Sequence, residues 1–269
     1  MITYDPQPVL FSFFGFEIRY YGLFYVLGFL IVYFIFSHFY QKRGLGKKED
    51  ALELLFWGLV GGLIFARIFY ILFYNLPYYI SNPMQIFAIW NGGLSFHGGL
   101  VGAVLFVYLY CRHKSIPFLE VADLIVIPAS LALALGRVGN FLNGELYGRV
   151  TMVPWAIRFT TDPLMLPRHP SQFYEAGKNL LIFFILFAYY KKKYIHDVER
   201  RKGSLFILFV LLYGILRFFV EFLRAPDEQL GLLWLNLSMG QWLSISMIIF
   251  ALIFNFFLHK SKQSNKLKG

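Results

Sequence analysis

The sequence is dominated by apolar stretches of about 20 residues, the length that a helix needs to cross the hydrocarbon core of a bilayer. Short polar segments separate these stretches, which together use nearly the whole chain. They lie at about residues 19–40, 51–74, 92–111, 118–137, 171–190, 204–224 and 237–259. This pattern predicts an all-α polytopic membrane protein, with one domain over residues 1–269 folded as a bundle of seven transmembrane helices.

The charges indicate how such a bundle is oriented. Only 15% of the residues are charged, whereas soluble domains carry about 25%. The net charge of +10 comes largely from basic clusters at residues 41–48, 111–114, 191–202 and 260–268. Basic loops stay on the cytoplasmic side of a membrane, and all four clusters fall on one side of a seven-span bundle. We therefore expect an amino terminus outside, a cytoplasmic carboxyl terminus and no binding of nucleic acid.

The segments outside the spans are short, with one exception. Residues 141–170 are polar and interrupted by prolines, and we expect them to form a small external cap with short strands near residues 155–160. Residues 1–17 contain no basic residue, which is not the pattern of a cleavable signal peptide.

The most polar sequence near a predicted span is Gly-Arg-Val-Gly-Asn-Phe-Leu-Asn-Gly-Glu-Leu-Tyr-Gly at residues 136–148. It brings Arg137, Asn140, Asn143 and Glu145 to the end of the fourth span. Ionisable residues within a membrane are costly and are candidates for function. The glycines leave room for close approach of a ligand or a helix. These polar residues favour a reaction site or a binding site, the alternative being a buried polar contact that only holds helices together.

Other polar side chains fall at the same predicted outer ends of the spans. The sixth span carries four of them at spacings of four, four and three residues, which places them along one helical stripe. Arginines outnumber carboxylates in the whole set, and a cationic pocket within a bilayer predicts a phospholipid phosphate as its ligand. The set consists of Tyr20, Tyr21, Arg67, His97, Gln172, Tyr174, Glu175, Tyr213, Arg217, Glu221 and Arg224.

His97 is the member of this set that can exchange a proton near neutral pH, which predicts a general base, the alternative being a hydrogen-bonded structural histidine. The sequence has neither a His-Glu-x-x-His motif nor a thiolate cluster, so we expect no metal site and no cofactor. A Gly-x-Ser-x-Gly motif is also absent, which disfavours a serine lipase. The single cysteine, Cys111, is typical of a small buried apolar side chain.

The decapeptide Gly-Arg-Val-Gly-Asn-Phe-Leu-Asn-Gly-Glu at residues 136–145 resembles the signature of bacterial phosphatidylglycerol–prolipoprotein diacylglyceryl transferases. Residues 21–23, 95–99 and 169–175 are similar to further motifs of that family, as is the string of polar residues at 213–224. The similarity covers essentially the whole chain.

The resemblance implies a reaction. The enzyme would transfer the diacylglyceryl group from phosphatidylglycerol to the lipobox cysteine thiol in the signal peptide of a prolipoprotein. A thioether would form and glycerol phosphate would be released. The expected location is the bacterial cytoplasmic membrane, with the lipid bilayer itself as a partner and the active site toward the outer leaflet.

The resemblance also implies roles for individual residues. Arg137 and Arg217 would stabilise the departing phosphate, and His97 would assist deprotonation of the thiol. Tyr21, the two asparagines of the signature and its glutamate would hold the headgroup and the lipobox backbone, while Glu221 would orient Arg217. The expected substrate-binding residues are then Tyr21, Arg67, Asn140, Asn143, Glu145, Tyr213, Glu221 and Arg224.

Two alternatives stay open from the residues alone. A transporter for an anionic solute predicts polar residues along the inner halves of the spans, yet those halves are nearly all apolar. A lipid-binding scaffold needs the arginines but not His97.

Overall fold

The computed structural model describes residues 2–13, 16–194, 202–225, 231 and 233–266, most of which are helical. Each of the seven predicted apolar stretches coincides largely with one helix of 17 residues or more, and a short helix, α3, follows α2 directly. The helices are α1 (Tyr20–Lys42), α2 (Lys48–Tyr74), α3 (Leu76–Ser81), α4 (Phe96–His113), α5 (Phe118–Leu142), α6 (Ser171–Tyr189), α7 (Ser204–Val220) and α8 (Met239–Lys266).

Four of the described helices, α1, α2, α5 and the Met239–Lys260 part of α8, are long and apolar enough to cross a membrane. Helix α7 is apolar but shorter. Large apolar side chains such as Phe34, Phe73 and Phe256 are exposed along these helices, as expected for surfaces that face lipid. The chain is therefore an all-α membrane protein. The count of seven spans and the orientation of the termini stay predictions.

The described residues also form five short strands. They are β1 (Ile2–Tyr4), β2 (Val9–Phe13), β3 (Phe16–Arg19), β4 (Ile157–Phe159) and β5 (Pro167–Arg168). Strands β2 and β3 form an antiparallel hairpin directly before α1, and β1 pairs in parallel with β4, which pairs with β5. The prediction of short strands near residues 155–160 is confirmed, whereas the strands at the amino terminus were not predicted.

The chain forms two compact units, one of Met1–Val32 with Ala122–Gly269 and one of Tyr33–Val121. In the second unit, α2 packs along α4 through glycines. A Cβ atom at Gly102 would overlap the carbonyl oxygen of Gly61, so only glycine allows this approach of the two backbones. Arg43 Nε donates to Glu120 Oε1 at 3.1 Å and connects the loop after α1 to the start of α5.

In the first unit, α7 packs against α8 around a buried cluster of Ile207, Val210 and Ala251. The amino terminus of α7 is held by Asp123 of α5. The buried carboxylate of Asp123 accepts hydrogen bonds from the backbone amides of Gly203 at 2.7 Å and Phe206 at 2.8 Å. Amide groups at a helix amino terminus lack partners within the helix, so this carboxylate satisfies two of them across 80 or more residues of sequence.

Candidate active site

A buried carboxylate, Glu175 in the second turn of α6, is the centre of a cluster of ion pairs in the first unit. Its Oε1 atom pairs with Nη1 of Arg217 on α7. Its Oε2 atom lies 2.8 Å from Nζ of Lys178 and 3.8 Å from Nε of Arg137. Only 2% of the Glu175 side chain is exposed, and an ion buried to this degree is stable only with close partners.

Arg217 is held from both sides, since its Nη2 atom also pairs with Glu221 one turn further along the chain. Ser238, next to the start of α8, donates its hydroxyl hydrogen to Glu221 Oε1 at 2.9 Å. Gly240 lies so close that a Cβ atom there would be 2.5 Å from the same oxygen. The pairing of Arg217 with Glu221 that their spacing allows is thus present, and α8 fixes the carboxylate that orients the arginine.

The cluster is cationic. Arg137, Lys178 and Arg217 oppose the two carboxylates of Glu175 and Glu221, which leaves one positive charge. A net positive charge in a membrane protein attracts an anion, and the surrounding low dielectric strengthens that attraction.

Arg224 lies within electrostatic range of Arg217, Glu221 and Arg137. It therefore adds a further positive charge near this cluster. Its backbone is fixed by the loop after α5, where Arg149 Nε donates to the Arg224 carbonyl oxygen at 3.0 Å. Gly148 forms an isolated antiparallel β-bridge with Arg224.

Arg137 differs from the other cations because its guanidinium group is only partly engaged. The side chain is 22% exposed, and its closest carboxylate oxygen is the one at 3.8 Å. Among the described residues its one hydrogen bond is long, from Nη1 to Asn140 Oδ1 at 3.5 Å. A guanidinium has five N–H donors, so most of those of Arg137 are available to a ligand.

The signature segment forms the end of α5 and a tight turn after it. Asn140 donates to Glu145 Oε1 at 2.8 Å, and Asn143 Nδ2 lies 3.5 Å from the same atom. Gly144 has a φ of 63°, which glycine adopts without strain, and Gln172 Nε2 donates to the Glu145 carbonyl oxygen at 2.7 Å. The oxygens Asn143 Oδ1 and Gln172 Oε1 are buried and have no hydrogen-bond partner among the described residues, so they could accept a hydrogen bond from a bound group.

Two tyrosines from the predicted set border this arrangement. Tyr21 lies within electrostatic range of Glu145 and Arg137, and its hydroxyl is 2.7 Å from that of Tyr25. The ring of Tyr213 faces Lys178, whose Nζ atom is 3.8 Å from the ring centroid, the arrangement of a cation–π contact. The first unit therefore contains nine of the eleven predicted site residues.

The remaining two, Arg67 and His97, belong to the second unit. Arg67 is buried and donates to the carbonyl oxygens of Gln85, Ile86, Ala88, Gly92 and Gly93 at 2.5–3.4 Å. Its guanidinium also lies over the ring of Tyr79, 4.9 Å from the centroid. These contacts give Arg67 a structural role in holding the turn after α3. Its contact with a substrate stays a prediction that they do not support.

His97 is the second residue of α4, after Ser95, whose hydroxyl accepts the Gly98 amide at 3.4 Å. The imidazole is exposed, and no described residue forms a hydrogen bond with it. The only ring contact within the described chain is with its neighbour Phe96.

Lys178 and Ser238 were not predicted as site residues, and Glu175 was predicted near the site without a role. The available signal was a lysine three residues after a glutamate within an apolar helix, because such a pair shares one helical face. Ser238 carried no comparable signal. Within the part of the chain that the structure describes, no three His, Cys, Asp or Glu side chains are grouped as metal ligands would be.

The segment between α5 and α6 is held by a further buried carboxylate, that of Asp162. Asp162 accepts hydrogen bonds from Arg168 at 2.7 and 3.1 Å and from the amides of Leu164 and Leu166. Burial opposes ionisation of Asp162, but these donors outweigh it and lower its pKa.

In the same segment, Trp155 Nε1 donates to the Tyr174 hydroxyl, which lies 3.1 Å from His169 Nδ1. Burial lowers the pKa of His169.

The chain has an all-α membrane fold with a partly engaged guanidinium beside a buried cationic cluster, an arrangement suited to binding an anion within a membrane. The family model described as prolipoprotein diacylglyceryl transferase matches residues 8–257. The chain therefore belongs to the prolipoprotein diacylglyceryl transferase family, as the signature segment predicted.

Proteins named phosphatidylglycerol–prolipoprotein diacylglyceryl transferase are similar to this chain over most of their length. That of Geobacter sulfurreducens is 46% identical over 248 residues, which cover 91% of this chain and 93% of the relative. That of Idiomarina loihiensis is 44% identical over 248 residues, 92% and 91% of the two chains. That of Vibrio vulnificus is 44% identical over 245 residues, 90% and 88%.

Proposed function

We propose that this chain transfers the diacylglyceryl group of phosphatidylglycerol to the lipobox cysteine of prolipoproteins, the first step of lipoprotein maturation. The family membership and the names of the relatives support this activity. The observation that carries the assignment within the fold is the partly engaged guanidinium of Arg137 beside the buried pair of Glu175 and Arg217.

The reaction forms a carbon–sulfur bond at the glyceryl carbon and breaks the bond between that carbon and a phosphate oxygen. The thiol proton goes to a base, and glycerol phosphate leaves with the bonding electron pair. Negative charge therefore develops on the phosphate, and donors already in place there stabilise the transition state.

Arg137 is the residue to which we assign contact with the phosphate, because its donors are available and guanidinium binds phosphate oxygens in a bidentate manner. Arg217 supplies a fixed positive charge beside it, since Glu175 and Glu221 hold it from both sides. Such preorganisation avoids the cost of reorienting a charge during the reaction.

The polar turn at the end of α5 suits the glycerol headgroup and the lipobox backbone. The side-chain oxygens of Asn143 and Gln172, which have no partner in the described part of the chain, would accept hydrogen bonds from hydroxyl or amide groups. Asn140 and Glu145 hold the turn together, and Tyr21 lies within range of it. These contacts support their assignment as substrate-binding residues.

His97 is our candidate for the base that accepts the thiol proton, and its free, exposed imidazole supports that assignment. Tyr213 acts through Lys178, whose ammonium group its ring covers. Arg224 adds positive charge near Arg217 and Glu221.

We further propose a single membrane domain over residues 1–269, with seven spans, the amino terminus outside and residues 141–170 as an external cap. The four basic clusters support a cytoplasmic carboxyl terminus. The active site then faces the outer leaflet of the bacterial cytoplasmic membrane, where secreted precursors emerge.

Purified full-length protein incubated with phosphatidylglycerol vesicles and a lipobox peptide tests this function. Mass spectrometry is expected to show the peptide heavier by one diacylglyceryl group, with glycerol phosphate released in equal amount. A peptide with serine in place of the cysteine, and vesicles of phosphatidylethanolamine alone, serve as controls. Absence of the modified peptide, with folded protein and both substrates present, contradicts the proposal.

A further inference from the structure

Lys178 is a buried cation within an apolar helix. Only 2% of its side chain is exposed, and removal of an ammonium group from water costs several kcal/mol unless partners compensate. Glu175 Oε2 at 2.8 Å and the ring of Tyr213 at 3.8 Å are those partners. The helix could form with an apolar residue at this position, so the presence of a buried lysine beside the cluster needs another explanation.

The three cations around Glu175 do not share its oxygens equally. Arg217 takes Oε1, and Lys178 takes Oε2 with a close hydrogen bond. Arg137 also faces Oε2, but at 3.8 Å it forms no hydrogen bond with that atom. Lys178 thus makes the close contact with the oxygen that Arg137 also faces.

The consequence is that the guanidinium of Arg137 stays available. A buried carboxylate oxygen that is left open next to an arginine forms a close, charge-assisted hydrogen bond with it. Such a bond would use the donors that a substrate phosphate needs and would reduce the positive charge facing it. The ring of Tyr213 covers the ammonium group and keeps Lys178 over Glu175.

We infer that Lys178 is a positioning residue that occupies Glu175 Oε2 and thereby keeps Arg137 free to bind the phosphate of phosphatidylglycerol. This inference rests on the proposed function, specifically on contact between Arg137 and the lipid phosphate. Lys178 itself touches neither substrate in this account.

The test is a double-mutant cycle on lipid binding. Short-chain phosphatidylglycerol is titrated into purified full-length protein without peptide, and the dissociation constant is measured by calorimetry. Lys178→Met is expected to weaken binding about tenfold, a coupling of the size found for contacting residues. In an Arg137→Gln background, Lys178→Met is expected to alter binding by less than about twofold, because the arginine that Lys178 keeps free is absent.

Matched variants complete the design. Lys178→Arg retains the charge and the donors and is expected to bind the lipid as the unmodified protein does. Lys114 forms a similar arrangement outside the cluster, since it pairs with Glu53 at 3.2 Å and lies over the ring of Tyr110. Lys114→Met removes the lysine of this arrangement and is expected to leave binding unchanged. If Lys178→Met does not accumulate as folded protein, Lys178→Gln carries the same prediction.

The outcomes separate the inference from the function on which it rests. Unchanged affinity in folded Lys178→Met, with weak binding in Arg137→Gln, overturns the inference alone. Equal losses from Lys178→Met in both backgrounds also overturn it, because Lys178 would then act independently of Arg137. Full affinity in Arg137→Gln overturns the phosphate assignment and the inference together.

Discussion

The Nε atom of Arg137 lies 3.8 Å from Oε2 of Glu175, close enough for electrostatic attraction and too far for a hydrogen bond. The two residues come from different helices, α5 and α6, and Lys178 forms a closer ion pair with the same oxygen at 2.8 Å. The cluster therefore neutralises its buried carboxylate and still leaves one guanidinium for a ligand.

Replacement of the central carboxylate is expected to destabilise the protein strongly. Glu175→Gln removes the partner of two cations, Lys178 and Arg217, and removal of one member of a buried ion pair costs about 3–5 kcal/mol. Thermal unfolding in detergent measures the change. Glu17→Gln is the control, because Glu17 pairs with Arg19 on the exposed hairpin and such pairs contribute about 0–1 kcal/mol. Equal melting temperatures of the two variants contradict the central role of Glu175.

The close approach of α8 to Glu221 predicts an effect of a single methyl group. In Gly240→Ala the added carbon would lie 2.5 Å from Glu221 Oε1, which forces the carboxylate away from Ser238 and Arg217. We expect kcat to fall about tenfold or more, since small misplacements of positioning groups lower rates to this extent. Gly177→Ala on α6 is the control, because nothing lies within 4 Å of the added carbon. Similar rates for both variants refute the proposal that the position of the Glu221 carboxylate matters for the reaction.

The ion pair of Asp162 with Arg168 predicts how the segment between α5 and α6 responds to acid. Its pKa is lower in the folded protein than the ordinary value of about 3.9, so the folded state binds fewer protons in that range. The resulting stability is fully present above that value and is lost as pH falls through the lowered pKa.

Hydrogen exchange of the amides of Leu164 and Leu166 measures this response. The protection of these amides, expressed relative to their intrinsic exchange rates, is expected to fall below about pH 4 in the unmodified protein. Asp162→Asn is expected to exchange faster already at neutral pH, because hydrogen bonds to charged groups contribute about 1.5–3 kcal/mol. Slow exchange in the variant at neutral pH disagrees with this account.

His97 provides a prediction about the base. His97→Gln is expected to lower the rate of transfer about a hundredfold, the lower part of the range for general-base catalysis. A thiol ionises without help near pH 8.5, so the deficit is expected to shrink as pH rises to about 9. Rates of peptide modification from pH 6.5 to 9 measure this. A deficit that is the same at every pH assigns His97 a role other than proton transfer, and full activity removes it from the reaction.

The helices were predictable because burial in lipid demands long apolar stretches, and those stretches are visible in any single sequence. The stripe of Tyr213, Arg217 and Glu221 was predictable for a similar reason, since helical periodicity alone places these residues on one face.

Pairings over long sequence separations were not predictable. Asp123 caps α7 from more than 80 residues away, and β1 pairs with β4 across about 150 residues, although no local pattern requires either contact. Arg67 shows a different limit. A sequence reveals that an arginine lies in a span but not that the carbonyl oxygens of residues 85–93 need its donors, because their need arises only from the folded turn.

The central claim is that the partly engaged guanidinium of Arg137 receives the charge of the departing phosphate. The most direct measurement compares the rate of diacylglyceryl transfer by Arg137→Ala with that of the unmodified protein at saturating phosphatidylglycerol. Arg112→Ala, at an exposed position near the end of α4, serves as the control. The account predicts a loss in kcat of about 10²–10³-fold for Arg137→Ala, the effect of removing one donor to a developing oxyanion, and no loss for Arg112→Ala. A folded Arg137→Ala protein that transfers the lipid at a rate close to normal contradicts it.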